Sequence, residues 1–257
     1  MDRRVRERRR RVNRDRGRRR AGLIFVCALV VVAVIAFVWL RSSSVFAVQT
    51  ITASATQHVT QKQIEAAVSD ARGVSLLKLS TRAIEKDLGS LPYVRSIHIY
   101  RDFPNGLRVD IKEYQPAARL QDGDGAVWLV ADDGRLLSKA GAEAPQALAL
   151  IVAAARFEAK AGSVAPDAVL GAVPVAQLIE TPDMAASLPA VDHVSVSTGG
   201  EVVVVLQDGT ELRLGEPTDL KQKMNLAAWF IQKYLKDGKS LEYVDISVVD
   251  RPAVKAK

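Results

Sequence analysis

The sequence predicts an α+β protein: a single N-terminal transmembrane helix, a small β-α-α-β-β domain, and a larger mixed β-domain with flanking helices. Three observations carry this. Ala21 to Leu40 contains no charged residue. Residues 45–114 read as strand, helix, helix, strand, strand. Beyond Gln115, short strands and Gly-rich turns alternate until one long amphipathic helix and a last strand.

The charge-free run comes first. As a helix, residues 21–40 reach about 30 Å, the thickness of a bilayer's hydrocarbon core. Trp39 lies at its far end, where an indole ring favours the headgroup interface. The formal net charge of +7 is uneven: residues 1–20 hold twelve Arg against Asp2, Glu7 and Asp15, leaving the rest of the chain at −2. So apolar-poor a segment is expected to stay disordered. The positive-inside bias then predicts a cytoplasmic tail (1–20), a span (21–40), a linker (41–44) and everything beyond outside the cytoplasm. A cleaved signal peptide ending near Val45-Phe46-Ala47 is the competing reading. The apolar run exceeds the ~7–15 residues of such a core, and Arg41 interrupts the approach, so a retained anchor is preferred. The arginines are matched to anionic lipid rather than nucleic acid, because residues 1–20 contain no aromatic for base stacking. Cys27, the one cysteine, falls in the span, so the outer portion has no disulfide and no thiol chemistry.

In the small domain, Phe46 to Ile51 predicts a strand. Thr60 and Gln63 form a capping box, Val59 and Ile64 a hydrophobic staple, and Ile64, Ala67 and Val68 one apolar stripe ending before Gly73. A second helix follows Ser80, carries Ile84 and Leu88, and closes at Pro92. A hairpin completes the unit. Ile97 and Ile99 alternate with polar neighbours, Phe103-Pro104-Asn105-Gly106 form the turn, and Leu107, Val109 and Ile111 alternate with Arg108, Asp110 and Lys112. Such alternation marks a sheet covered on one face.

In the larger domain, Ala126–Ala131 and Leu136-Leu137 flank an Asp132-Asp133-Gly134 turn. Leu148 to Val152 is read as a strand, and 166–188 as helix broken near Pro174 and Pro182. Residues 191–197, 201–206 and 210–214 are strands joined at Gly199-Gly200 and Asp208-Gly209. Leu220, Met224, Ala227, Ile231 and Leu235 mark a helix over 218–236, ended by Gly238. Tyr243 to Val249 is read as the last strand, stopped at Arg251-Pro252.

Catalytic signatures are missing. His58, His98 and His193 share no motif, and no G-x-S-x-G, H-E-x-x-H or P-loop occurs. Asp122-Gly123-Asp124-Gly125 lacks the spacing and the terminal Glu of a calcium loop and reads as a turn. Asp110 and Glu113, three apart on a strand, point to opposite faces. No catalytic residue, metal site or cofactor is expected. What remains is sheet edge, which binds partners by strand addition.

The order of elements, with "LPYVRSIHIYRDFPNGLRVDIKEYQPAA", "WLVADDGRLL", "LRLGEPTDLKQKMNLAAWF" and "YVDISVVDRPAV", resembles the FtsQ/DivIB family of bacterial cell-division proteins. The resemblance implies a POTRA domain at 45–114, a C-terminal β-domain at 115–250 and a tail at 251–257. Three departures stand out: Phe103 replaces the usual Trp as an aromatic plug, Glu113-Tyr114 replaces Glu-Arg, and Ala53-Ser54-Ala55 replaces a Gly-Asn turn. The family implies a non-enzymatic divisome scaffold, single-pass in the cell membrane and enriched at the septum. Its implied partners are an FtsB/FtsL-like pair, with FtsK-like and FtsW/FtsI-like proteins as further ones. Carried over by position, the partner edge is Tyr243, Val244, Asp245, Ile246, Ser247 and Val248, with Tyr243 either an aromatic anchor or a core residue. The alternative is a membrane-anchored envelope enzyme or regulator carrying a POTRA-like interaction module.

Overall fold

The computed structural model describes residues 25–35, 39, 44–141, 145 and 147–257. The arginine-rich tail 1–20, residues 21–24, 36–38 and 40 of the expected span, and most of the linker lie outside these. Residues 25–35 are helical and exposed. Among the described residues, no helix is long and apolar enough to cross a membrane.

By internal contacts the chain forms two compact units. Unit 1 takes the chain up to Ala55, Gln61–Glu85 and His98–Asp110; unit 2 takes Thr56–Thr60, Lys86–Ile97 and Ile111–Lys257.

Unit 1 contains β1 (Thr50–Ala53), α1 (Gln61–Val68), most of β2 (Val94–Asp102), most of β3 (Gly106–Glu113) and the start of α2 (Arg82–Gly89). The three strands form a sheet in the order β1-β3-β2. β1 pairs parallel to β3, with Thr50 opposite Gly106 and Ala53 opposite Val109. The alternation read from the hairpin is the alternation of burial: Leu107, Val109 and Ile111 are buried, while Arg108 and Lys112 are exposed. A one-residue slip would turn all three apolar side chains to water. Ile64, Val68 and Ile84 bury the apolar stripes of the two helices. The Phe103–Pro104 peptide bond is cis.

Unit 2 is built on a nine-stranded sheet, order β12-β11-β10-β9-β8-β7-β4-β5-β6. Its strands are β4 (Pro116–Gln121), β5 (Val127–Ala131), β6 (Leu136–Lys139), β7 (Leu150–Ala153), β8 (Val191–Val196), β9 (Val202–Leu206), β10 (Glu211–Gly215), β11 (Leu241–Asp245) and β12 (Ala253–Ala256). The hairpins are antiparallel; β4–β7, β7–β8 and β10–β11 are parallel and so require crossovers. Those crossovers supply helices: α3 (Asp167–Leu170), α4 (Ala172–Ile179), α5 (Pro182–Ser187) and α6 (Leu220–Lys236).

Period-2 burial decides which face the helices cover. Ile151, Val194, Val196, Val202, Val204, Leu212, Leu214 and Val244 are buried in one core with Val173, Val175, Ala176, Met224, Ala227 and Ile231 of the helices. The intervening residues, from Leu150 and Val152 through Val203 and Val205 to Arg213, are only half-buried. The helical region is interrupted at Gly171 and at 180–181, near the two prolines as expected, and each proline stands in the first turn of the helix that follows the break. Pro182 is the first residue of α5, and Pro174 stands in the first turn of α4, where a missing N–H costs no intrahelical bond. The stripe on α6 holds as far as Ile231, but Leu235 is exposed. Gly238 follows at φ +68°, the left-handed stop that a helix C-terminus favours.

Candidate docking edge

At its β12 end the nine-stranded sheet offers backbone rather than a pocket. The strand expected over 243–249 is shorter, Leu241–Asp245, and its edge is not free: β12 pairs antiparallel along it, with Tyr243 opposite Lys255, Val244 opposite Val254 and Asp245 opposite Ala253. The outer edge at this end is therefore Ala253–Ala256, a strand that Arg251-Pro252 was expected to forestall. The turn absorbs that dipeptide: Arg251 N–H donates to Val248 O, and Pro252 ends the turn before pairing begins. Ala253–Ala256 gave no sequence signal because its pairing is supplied by backbone, and four residues with two alanines show neither β-propensity nor a resolvable period.

The six residues expected to form the edge divide by burial. Val244 and Ile246 are fully buried in the core. Tyr243 is half-buried, and the Arg213 guanidinium stands 4.1 Å over its ring. Asp245 turns inward to its own loop, its Oδ1 accepting from Ser247 N–H at 3.0 Å and Ser247 Oγ at 2.7 Å. Val248 is 55 % exposed.

Charges brace this end of the sheet. Arg213 bonds Glu211 at 2.7 Å, and that bond holds the guanidinium above its ordinary range. Lys255 on β12 pairs with Glu242 on β11 at 2.7 Å, which raises the ammonium's pKa. Lys257 N–H donates to Ser240 O and its Nζ to Asp208 O, closing the end of β12. Thr210 Oγ1, buried, donates to Leu241 O at 2.9 Å. Lys223, 2 % exposed, sends Nζ to Leu214 O and Glu216 O, both at 2.8 Å. A buried ammonium is tolerated only with such partners, and here it fastens α6 to the exit of β10.

Three of the groups weighed for chemistry, Glu113, His58 and Asp122, have structural partners. The Glu113 carboxylate, 7 % exposed, accepts from the N–H groups of Gln57, His58 and Val59 at 2.9, 3.0 and 2.7 Å. Burial pushes its pKa up, but these donors together outweigh burial and hold it below the ordinary value. His58 stacks on Tyr93 at 4.0 Å. Asp122 Oδ1 accepts from Asp124 and Ala126 N–H, a turn rather than a cation loop. Tyr114 donates to Asp133 at 2.7 Å and lies under the guanidinium groups of Arg95 and Arg135, at 5.4 and 5.8 Å. The Asp133 hydrogen bond, aided by burial, raises the phenol's pKa.

A cavity of about 640 Å³ lies among Arg119, Leu148, Ile179, Glu180, Met184 and Leu188. Arg119 Nε donates to Leu148 O, and Glu180 accepts from Ala149 N–H, so both charged groups are engaged by the backbone of the segment leading into β7. Among the described residues no cluster could hold a metal ion.

A three-stranded β-α-α-β-β module followed by a helix-backed, nine-stranded mixed sheet defines a two-module α+β protein. Residues 46–114 match the family model for the FtsQ-type POTRA domain, and residues 118–247 match that for the C-terminal domain of cell division protein FtsQ/DivIB. The chain belongs to the FtsQ/DivIB family of cell-division proteins. No curated protein matches it.

Proposed function

We propose that this cell-division protein is a non-enzymatic scaffold of the septum-forming machinery. It joins early- and late-arriving components through strand addition at exposed sheet edges. Residues 21–40 anchor it in the cell membrane with residues 1–20 in the cytoplasm, the folded units outside, and the arginines against anionic lipid. Its partners on this reading are membrane division proteins of the FtsB/FtsL type, with FtsK-like and FtsW/FtsI-like proteins as further ones.

The observation that supports this reading is the outer edge of β12. Lys257 N–H points inward to Ser240 O, so by strand alternation the N–H of Ala256 points away from β11. It is a backbone donor placed for an incoming strand. The expected contact strand, 243–248, then supports the edge from within rather than forming it, unless a partner displaces β12.

A fluorescent fusion of the full chain should form midcell bands in dividing cells. Uniform envelope staining would overturn the septal role. Ala256→Pro removes the outward donor on an exposed edge residue, where proline is tolerated. It should abolish co-purification of the FtsB/FtsL-type pair while leaving the thermal midpoint within a few degrees. Undiminished co-purification would place the docking surface elsewhere.

A further inference from the structure

Unit 1 carries an apolar patch that its own core does not use. Val45 is 57 % exposed, Phe103 58 %, and Val74 and Leu77 37 % each. Phe103, expected as a plug, instead meets Phe46 edge-on, with ring centroids 6.0 Å apart. Backbone bonds gather these residues. Ala47 bridges Ser75 antiparallel, Leu76 N–H donates to Phe46 O at 2.7 Å, and Val48 N–H donates to Val74 O at 3.0 Å. Gln49 N–H donates to Asn105 O, which brings the hairpin tip to the same place. The rim is basic: Lys78 follows Leu77, and Arg101 is tied to Leu79 O at 2.8 Å. The nearby acid Asp102 faces Arg108 at 3.6 Å.

Chain length says what lies beside this patch. Five peptide steps separate Leu40, the end of the charge-free run, from Val45. At ~3.6 Å per residue they span at most about 18 Å. A membrane that holds residues 21–40 is therefore within reach of Val45 in every conformation of the linker.

We propose that Val45, Phe46, Leu77 and Phe103 form a lipid-facing foot that enters the headgroup layer of the membrane. Lys78 and Arg101 meet anionic headgroups around it, as at other interfacial surfaces with an apolar centre and a basic rim. This rests on the membrane-anchored reading above. The foot adds a second point of attachment to the span, so unit 1 lies against the bilayer instead of hanging from a loose tether.

The test uses the full chain with Cys27→Ser in phosphatidylcholine/phosphatidylglycerol vesicles. An environment-sensitive dye is attached at Phe103→Cys, at Val45→Cys or at the exposed control Lys239→Cys. Headgroup-proximal spin-labelled lipid should quench both foot positions several-fold more than Lys239, with a blue-shifted emission. Equal quenching at all three positions, in vesicles that retain the chain through an alkaline carbonate wash, would overturn the foot and leave the anchor standing. Loss of the chain in that wash would overturn both.

Discussion

At Gly215 the backbone passes through φ +64°, and a Cβ there would stand 2.8 Å from Ser247 Cβ. The residue lies where β10 shifts register against β9, beside the loop that Asp245 ties down through Ser247. Gly215→Ala is expected to cost about 1–3 kcal/mol in backbone strain, with further loss as Ser247 is displaced. A denaturant midpoint unchanged from the parent would contradict this. Glu113 is the second residue of this kind. Three N–H donors to one buried carboxylate make Glu113→Gln cost about 1.5–3 kcal/mol at neutral pH, the range for hydrogen bonds to a charged group. Because its folded pKa is lowered, that stability is fully present above the unfolded value of about 4.3 and is lost as pH falls through the folded one. Parent and Glu113→Gln unfolding energies should therefore converge as pH falls from the unfolded value through the lower folded one; a constant gap down to strongly acid pH would refute the clamp. Neither role was legible in the sequence. Glu113 reaches residues more than fifty positions away, and no local pattern encodes such a contact.

Among the elements, the β2–β3 hairpin was the most legible, because its turn residues and its period-2 alternation specify the same register. Val109 is fully buried at its centre. Val109→Asp would place an unpaired charge there, at a cost of several kcal/mol. Soluble, cooperatively melting protein from that variant would contradict the assigned face. The long helix α6 was legible for a similar reason: seventeen residues allow a 3.6-residue period to show. The breaks near the two prolines were legible, but their place in the first turn of the following helix was not, because a proline opening a helix and one ending it look alike in sequence. β12 was invisible, being four residues long and stabilised by main-chain bonds that any sequence supplies. The strand at 241–245 was thus placed by position, from family resemblance, and the strand paired outside it only by structure. Lys223 belonged to the quoted family pattern without a role; its two carbonyl partners now give it one.

For the whole molecule, the chain crosses between its two compact units five times, the last time at Ile111. The β2–β3 hairpin and α2 each contribute residues to both units, and within unit 2 a fragment cut at the end of β3 divides residues that pack together: Tyr93 bonds Ser138, and Arg135 donates to Pro92 O, across that cut. Orientation in the membrane belongs to this scale as well. Protease added to intact spheroplasts should digest residues 45–257, with residues 1–20 protected until lysis. The reverse pattern would remove the extracytoplasmic reading and every docking proposal built on it.

The order of strands at the docking end has a temporal consequence. β10 is laid down first, α6 crosses over the core, β11 returns parallel to β10, and only then can β12 zip onto its outer side. On the proposed reading, the docking edge is completed only after β10, α6 and β11 are in place, so a molecule stalled short of that pairing would lack the strand proposed to hold a partner.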